Sequence, residues 1–362
     1  MAMKSGNQRG VVRNALAVAL LGAVAASAAP KSGPLAPLFA PGTSETRAAL
    51  LIRDGQVIEK RYAPGYSDET RFISWSMAKS VTAVLIGELV ADGRLSLDAP
   101  VPFAEWQKPV DPRAAITLRQ MLNMATGIAH VEVGDPVYAS DTNQVLFVGG
   151  TQAMAAAALA RPLEAAPGSV FEYNSLTSLL LSELITRQLT DSRDPRVRAE
   201  AYRRFAEDRL FRPAGIRTAV LDFDGAGTQI GGSILYMSLE DWGRFGKVLL
   251  DGQGEARTPI ITPDWLQFLR TPSRRDGGYG GQVWLNRPRP AGSDPALFPG
   301  QGPATLTSAI GHLGQYVIAS PDQGVVLVRL GKTNDPDLGP VRAALGQIIA
   351  AIPVKEPPNA QP

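Results

Sequence analysis

Ser76-Met77-Ala78-Lys79 is the grouping in this chain with the plainest chemical meaning. A helix that starts near Ser76 puts both polar residues on one face. The stretch Phe72 to Gly93 predicts that helix: Val81, Val84, Leu85 and Leu89 recur at helical spacing and Gly93 stops it. Ser76 then stands at the positive end of a helix dipole, beside backbone N–H groups that have no partner within the helix. Lys79 lies within reach of its hydroxyl. A lysine pressed into apolar surroundings loses proton affinity and can act as a base. A weak nucleophile beside its activator is the arrangement covalent catalysis needs. Four letters alone are weak evidence, because a surface helix with a capping serine and a solvated lysine shows the same ones. Two observations go further. No second S-x-x-K occurs in the chain, and the helix is too apolar for the surface.

Two other stretches could complete a site. Pro167 to Ser175 turns and then enters an apolar helix, which puts Tyr173 just before the helix, where its hydroxyl can shuttle a proton if nearby positive charge lowers its pKa. Gly311-His312-Leu313-Gly314-Gln315 leads into a β-rich run, and glycines there allow a ligand close to the backbone, whose N–H groups can bind an oxyanion. Taken singly, Tyr173 reads better as an ordinary half-buried tyrosine and His312 as a satisfied structural histidine.

Composition narrows the classes. The chain has 362 residues, which points to two domains or a two-lobed fold, and a formal net charge of +2, which gives nucleic acid or an anionic membrane no hold. It has no cysteine, so disulfides, thiol catalysis and Cys-zinc sites are excluded. Its histidines are His130 and His312, with no H-E-x-x-H, so no metal or cofactor is expected. Lys4, Arg9 and Arg13, the apolar run Ala15 to Ala26 and the small residues that follow read as an export signal over 1–29, cut near Ala28 or Ala29. The run is short of the ~20 residues of a spanning helix, so cleavage is favoured over an anchor. A bacterial periplasmic or secreted protein follows.

The elements have an order. After a loose lead-in over 30–45, Ala48–Ile52 and Val57–Tyr62 flank Asp54-Gly55 as a hairpin. Helices are predicted after Ser76, from Thr117, over Thr151–Leu159, Leu176–Leu189, Arg196–Leu210 and Leu239–Leu250, and after Thr262, with 130–150 irregular. Strands return at Gly281–Leu285, Ala309–Ile310, Tyr316–Ala319 and Val325–Leu330, before a closing helix over Val341–Ile352 and a disordered tail over 353–362. Strands, helices, strands and a helix make an α+β fold. Residues 46–75 with 295–352 form an antiparallel sheet lobe flanked by helices. Residues 76–294 form a mainly helical lobe, and the site lies in the cleft between them.

In the order S-x-x-K, Y-x-S, H-x-G, the chain resembles the serine β-lactamase and penicillin-binding-protein superfamily, on the branch of class C β-lactamases, esterases of that fold, D-aminopeptidases and 6-aminohexanoate-dimer hydrolases. The likeness runs from about Thr46 to Leu330 and includes ITLRQMLNMATG at 116–127, Gly231 to Phe245 and Gly314 to Arg329. WSMAKS and GHLGQYVIASPDQGVVLVRLG sit nearest the 6-aminohexanoate-dimer hydrolase-like members. The resemblance implies a β-lactamase/transpeptidase-like fold with Ser76 as nucleophile, Lys79 assisting its deprotonation and Tyr173 passing the proton to the leaving group. It implies an oxyanion hole from the N–H groups of Ser76 and Gln315, and substrate contacts from Ser175, His312, Leu313 and Gly314. His312 stands where relatives carry the first lysine of K-T-G. Ser175 replaces the Asn usual in class C, and Leu313 replaces a Thr or Ser whose hydroxyl helps hold the substrate carboxylate, which argues against β-lactams.

The leading expectation is therefore an exported serine hydrolase that cleaves a small ester, amide or peptide through an acyl-enzyme on Ser76. A D,D-peptidase or β-lactamase is the second enzyme reading. A muropeptide or penicillin-binding sensor without turnover is the reading from another class, disfavoured by the intact Ser76, Lys79 and Tyr173. A Ser-His-Asp hydrolase lacks its G-x-S-x-G elbow.

Overall fold

The computed structural model describes residues 32–43 and 45–356. The export signal and the last residues of the tail, from 357, lie outside the described residues. The strands are β1 (Thr46–Arg53), β2 (Gln56–Tyr62), β3 (Phe72–Ile73), β4 (Val220–Leu221), β5 (Leu235–Met237), β6 (Trp284–Leu285), β7 (Thr307–Gly311), β8 (Gln315–Ser320) and β9 (Val325–Gly331). The helices are α1 (Ala78–Ala91), α2 (Leu118–Leu122), α3 (Asp141–Phe147), α4 (Met154–Leu159), α5 (Ser175–Leu189), α6 (Pro195–Ala206), α7 (Arg212–Ala214), α8 (Leu239–Asp251), α9 (Pro263–Arg270) and α10 (Leu338–Ala350).

The main sheet has the order β2-β1-β9-β8-β7-β6, antiparallel throughout. The early hairpin turns at Asp54-Gly55, both at positive φ, and then pairs with a strand nearly the whole chain away, Leu50 opposite Val328. Period-two alternation gives the sheet two apolar faces. Ala49, Leu51, Ile318, Val325 and Leu327 pack with Val341, Leu345 and Ile349 of α10. Leu50, Ile52, Val317, Val326 and Val328 belong to the larger core, shared with α1, α5 and α8. Chain order puts α8 within the helical stretch, yet it lies directly on this face. A Cβ at Gly243 would come 2.5 Å from Leu50 Cδ2, and one at Gly246 2.3 Å from Val326 Cγ1, so two glycines set the approach.

α1 is buried on almost every side, from Ala78 to Leu89. Its polar residues are tied off: Ser80 Oγ donates to the Gln282 carbonyl (2.7 Å) and Thr82 Oγ1 to the Gly231 carbonyl (3.0 Å). Thr117 opens α2 with a full capping box to Gln120, and Asn174 caps α5 by accepting from the Thr177 N–H (2.9 Å). α3 falls in a stretch expected to be irregular, opened by Ser140, whose hydroxyl accepts from the Asn143 N–H. A second sheet, β3-β5-β4, has strands of two and three residues. It fixes the entry to α1: Ser74 N–H donates to the Leu235 carbonyl (2.7 Å), and Ser74 Oγ accepts from the Leu235 N–H (3.1 Å).

Candidate active site

The turn before α1 presents Ser76. Residues Trp75–Met77 form a single 3₁₀ turn, and Trp75 holds a left-handed backbone with φ 43°. A bulky residue rarely adopts that conformation, and its cost, of order 1–3 kcal/mol, is met by the Ser74 hydrogen bonds and the packing around it. Ser76 is half-buried, with its N–H in the first turn of the helical run.

Lys79 is 1% exposed, and its ammonium has three acceptors: Ser76 Oγ at 3.1 Å, Ser175 Oγ at 2.9 Å and the Gly232 carbonyl at 2.7 Å. Burial pulls its pKa down from 10.5 to about 8, against a smaller upward pull from Glu132. The Gly231-Gly232 backbone reaches this spot because neither residue carries a side chain. A Cβ at Gly231 would sit 2.0 Å from Ser182 Oγ.

Tyr173 lies over the same amine, with Lys79 Nζ 4.9 Å from its ring centroid. The ring stacks on Trp284 at 5.5 Å and meets Tyr279 edge-on at 6.0 Å. A proton shuttle at this position is conditional on nearby positive charge lowering its pKa. Burial instead raises it well above the ordinary tyrosine value, Glu132 adds to the rise, and the nearby Ser76 hydroxyl only partly offsets it. Tyr173 is therefore a neutral phenol near neutral pH.

Sequence reasoning passed over Glu132. Its Oε1 accepts from Ser175 Oγ at 2.6 Å, and its Oε2 accepts from the Ser175 N–H at 2.8 Å and from Thr142 Oγ1 at 3.1 Å. His130 Nε2 lies 2.6 Å from the same Oε2. Burial pushes this carboxyl up, but the His130 contact, Lys79 and Ser175 together hold it down at about 2. The only sequence signal was the spacing His130-x-Glu132 in an irregular polar stretch. Ser175, expected to touch substrate, is 2% exposed, with its hydroxyl committed to Lys79 and Glu132, so it lies beneath the site.

The third motif leads into a strand, as expected: His312-Leu313-Gly314 is the turn between β7 and β8, where Leu313 (φ 62°) and Gly314 (φ 78°) reverse the chain. Arg329 braces this turn, donating to the Gly314 carbonyl at 2.7 Å and the Leu313 carbonyl at 3.2 Å. Gly314 is buried against that guanidinium, so it offers no substrate contact. Gln315 pairs with Gly311 across the hairpin, and its side-chain amide pins the His312, Leu313 and Gly331 carbonyls. The strand that abuts the turn at Ser76 is β7. A Cβ at Gly311 would lie 2.2 Å from the Ser74 carbonyl oxygen, and the exposed His312 ring meets Trp75 edge-on at 5.4 Å. Gln315, expected to supply an oxyanion N–H, begins β8, opposite Gly311 at the end of β7. By alternation Thr307, Ala309 and Gly311 share one buried face of β7, with Ala309 in the larger core, and none of them is cationic.

On the 131–148 segment Val133, Val137, Tyr138, Phe147 and Val148 are exposed, and Phe147 meets Trp75 at 6.5 Å. Among the described residues no group of three or more His, Asp or Glu is placed to hold a metal ion.

Comparison with known proteins agrees with this fold. The family model described as beta-lactamase matches residues 39–351. Among solved structures, a Bacillus anthracis protein described provisionally as a 6-aminohexanoate-dimer hydrolase superposes with a TM-score of 0.65 at 18% identity, covering 84% of this chain and 78% of that one. A penicillin-binding protein homologue from Caulobacter crescentus gives 0.64 at 18% identity, over 88% of this chain and 95% of the other. EstA from Arthrobacter nitroguajacolicus Rue61a gives 0.63 at 18% identity, over 88% and 96%. At such identities these likenesses carry the fold.

Proposed function

The chain belongs to the beta-lactamase family, and on that premise we propose that it is a serine hydrolase of the Ser-Lys-Tyr type, acting on small neutral esters or linear amides through an acyl-enzyme on Ser76. The observation that carries the reading is the Lys79 amine, buried, brought to a pKa of about 8 and 3.1 Å from Ser76 Oγ. Neutral Lys79 takes the Ser76 proton as Oγ attacks the substrate carbonyl carbon. The carbonyl electron pair moves to oxygen, held by the Ser76 N–H and a backbone N–H at the end of β7 near Gly311 and His312. Collapse breaks the bond to the leaving group, which takes a proton from the Tyr173 hydroxyl as Lys79 resupplies it. Water then repeats the sequence on the acyl-enzyme and frees Ser76.

Substrate class follows from the cleft. A β-lactam brings a carboxylate, and β7 has no cation to meet it, while the apolar Phe147 packs beside Trp75. An anion desolvated there lacks a charge-assisted hydrogen bond worth about 1.5–3 kcal/mol. This supports ester or amide hydrolysis, of the sort named for the 6-aminohexanoate-dimer hydrolase-like and esterase relatives, over penicillin turnover. Export to a bacterial periplasm or medium is part of the proposal and rests on the N-terminal sequence alone.

Replacing the nucleophile tests the reading. Ser76→Ala should lower kcat for p-nitrophenyl butyrate by on the order of 10⁵-fold or more, with unchanged thermal unfolding. A variant that keeps over a tenth of wild-type kcat contradicts it.

A further inference from the structure

We propose that Glu132 is a positioning residue that works through Ser175: by fixing which way the Ser175 hydroxyl points, it aims the lone pair of neutral Lys79 at Ser76. This rests on the acyl-enzyme reading above and extends it to a residue outside the three motifs.

The argument is one of donors and acceptors. A neutral lysine amine has two N–H bonds and one lone pair. Three groups face Nζ within hydrogen-bond range: the Gly232 carbonyl, Ser175 Oγ and Ser76 Oγ. The carbonyl can only accept. Ser175 could accept or donate, and the choice decides the chemistry. Its proton goes to Glu132 Oε1 at 2.6 Å, because an ionised carboxylate only accepts. Ser175 Oγ therefore offers Lys79 nothing but lone pairs. Both lysine N–H bonds are then used on Gly232 and Ser175, and the amine lone pair is left facing Ser76 Oγ. If Ser175 donated to Nζ instead, the lone pair would be occupied and Lys79 could not take the nucleophile's proton.

The same carboxylate serves the next instant. Proton transfer leaves an ammonium buried beside the Tyr173 ring, and Glu132 is the charged group that raises the proton affinity of Lys79. Glu132 is held in place independently of Lys79. Its Oε2 faces three partners that can donate: the Ser175 N–H, the Thr142 hydroxyl and His130 Nε2. Tyr173 cannot replace Lys79 as base, since its phenol is held protonated.

That arrangement makes Glu132→Gln a directional test. The three donors around Oε2 keep the amide oxygen there, so the new NH₂ takes the place of Oε1 and donates to Ser175 Oγ. The Ser175 proton must then turn towards Lys79. The experiment measures kcat/KM for p-nitrophenyl butyrate against pH for wild type, Glu132→Gln and Ser175→Ala, with thermal unfolding of each. Glu132→Gln should lose roughly ten- to a hundredfold in the plateau value. Its acid limb should also move to lower pH, because the anion that favoured the ammonium is gone. Ser175→Ala should lose a similar factor while keeping Glu132 ionised, so its limb should move less. If Glu132→Gln does not fold, Ser175→Ala decides alone: a plateau within twofold of wild type overturns the inference. So does a folded Glu132→Gln with an unmoved limb, which would mark a merely structural carboxylate. Ser76→Ala, run alongside, separates the two levels: if it retains turnover, the acyl-enzyme reading fails; if it is dead while the other variants match wild type, only the role of Glu132 fails.

Discussion

Which residue takes the Ser76 proton can be read from the pH dependence of the wild-type enzyme. Burial brings Lys79 from 10.5 to about 8. At pH 7 about a tenth of such an amine is neutral, against roughly 0.03% of an ordinary lysine, so burial enlarges the population of base about 300-fold. The sign is fixed by the active form being the deprotonated one. With a neutral ester, kcat/KM should climb about tenfold per pH unit below the midpoint near 8 and then flatten. Tyr173 sits well above the ordinary phenol value, so it adds no second rise near that midpoint. The assay is initial-rate hydrolysis of p-nitrophenyl butyrate from about pH 5.5 to 10, corrected for spontaneous hydrolysis, with unfolding checked at the extremes. A log kcat/KM that keeps its unit slope through about pH 9.5 would refute a base that titrates near 8 and with it the buried, depressed Lys79 of this account. A flat profile down to about pH 6 would show that no group near the Lys79 value is required.

Two further outcomes follow from the same geometry. Gly311→Ala puts a methyl against the Ser74 carbonyl, where a Cβ would lie 2.2 Å away, so β7 must back off from the nucleophile turn; kcat should fall roughly ten- to a hundredfold with KM changed far less, and wild-type kcat would remove β7 from the oxyanion site. On one preparation, kcat/KM for nitrocefin should fall below that for p-nitrophenyl butyrate and for a linear 6-aminohexanoate dimer, and a nitrocefin value above both would falsify the substrate class.

The elements that sequence made legible are those with strong local signals. The Asp54-Gly55 hairpin, the capping box at Thr117 and the apolar run of α5 each announce themselves within a few residues. The antiparallel sheet followed from element order. β3, β4 and β5 did not, because strands of two or three residues have no measurable alternation and exist only through their partners. At the site, Ser76 and Lys79 were readable because one helical turn joins them. Glu132 was not, since it comes 53 positions after Lys79 along a loop and meets it only through Ser175. That His312-Leu313-Gly314 leads into a strand was legible, but the left-handed backbone of Leu313 was not, because leucine is a poor candidate for it and its positive φ is stabilised by Arg329, which lies a strand away.

The central claim is that Ser76 is an activated nucleophile. The most direct measurement is mass spectrometry of the intact protein and its peptides after reaction with a fluorophosphonate probe, with Ser76→Ala as control. The account predicts a single adduct on the peptide that holds Ser76, formed faster at pH 8.5 than at pH 6.5 as Lys79 loses its proton around pH 8, and absent from the variant. An unlabelled wild-type protein, or a label on any other residue that persists in Ser76→Ala, would contradict it.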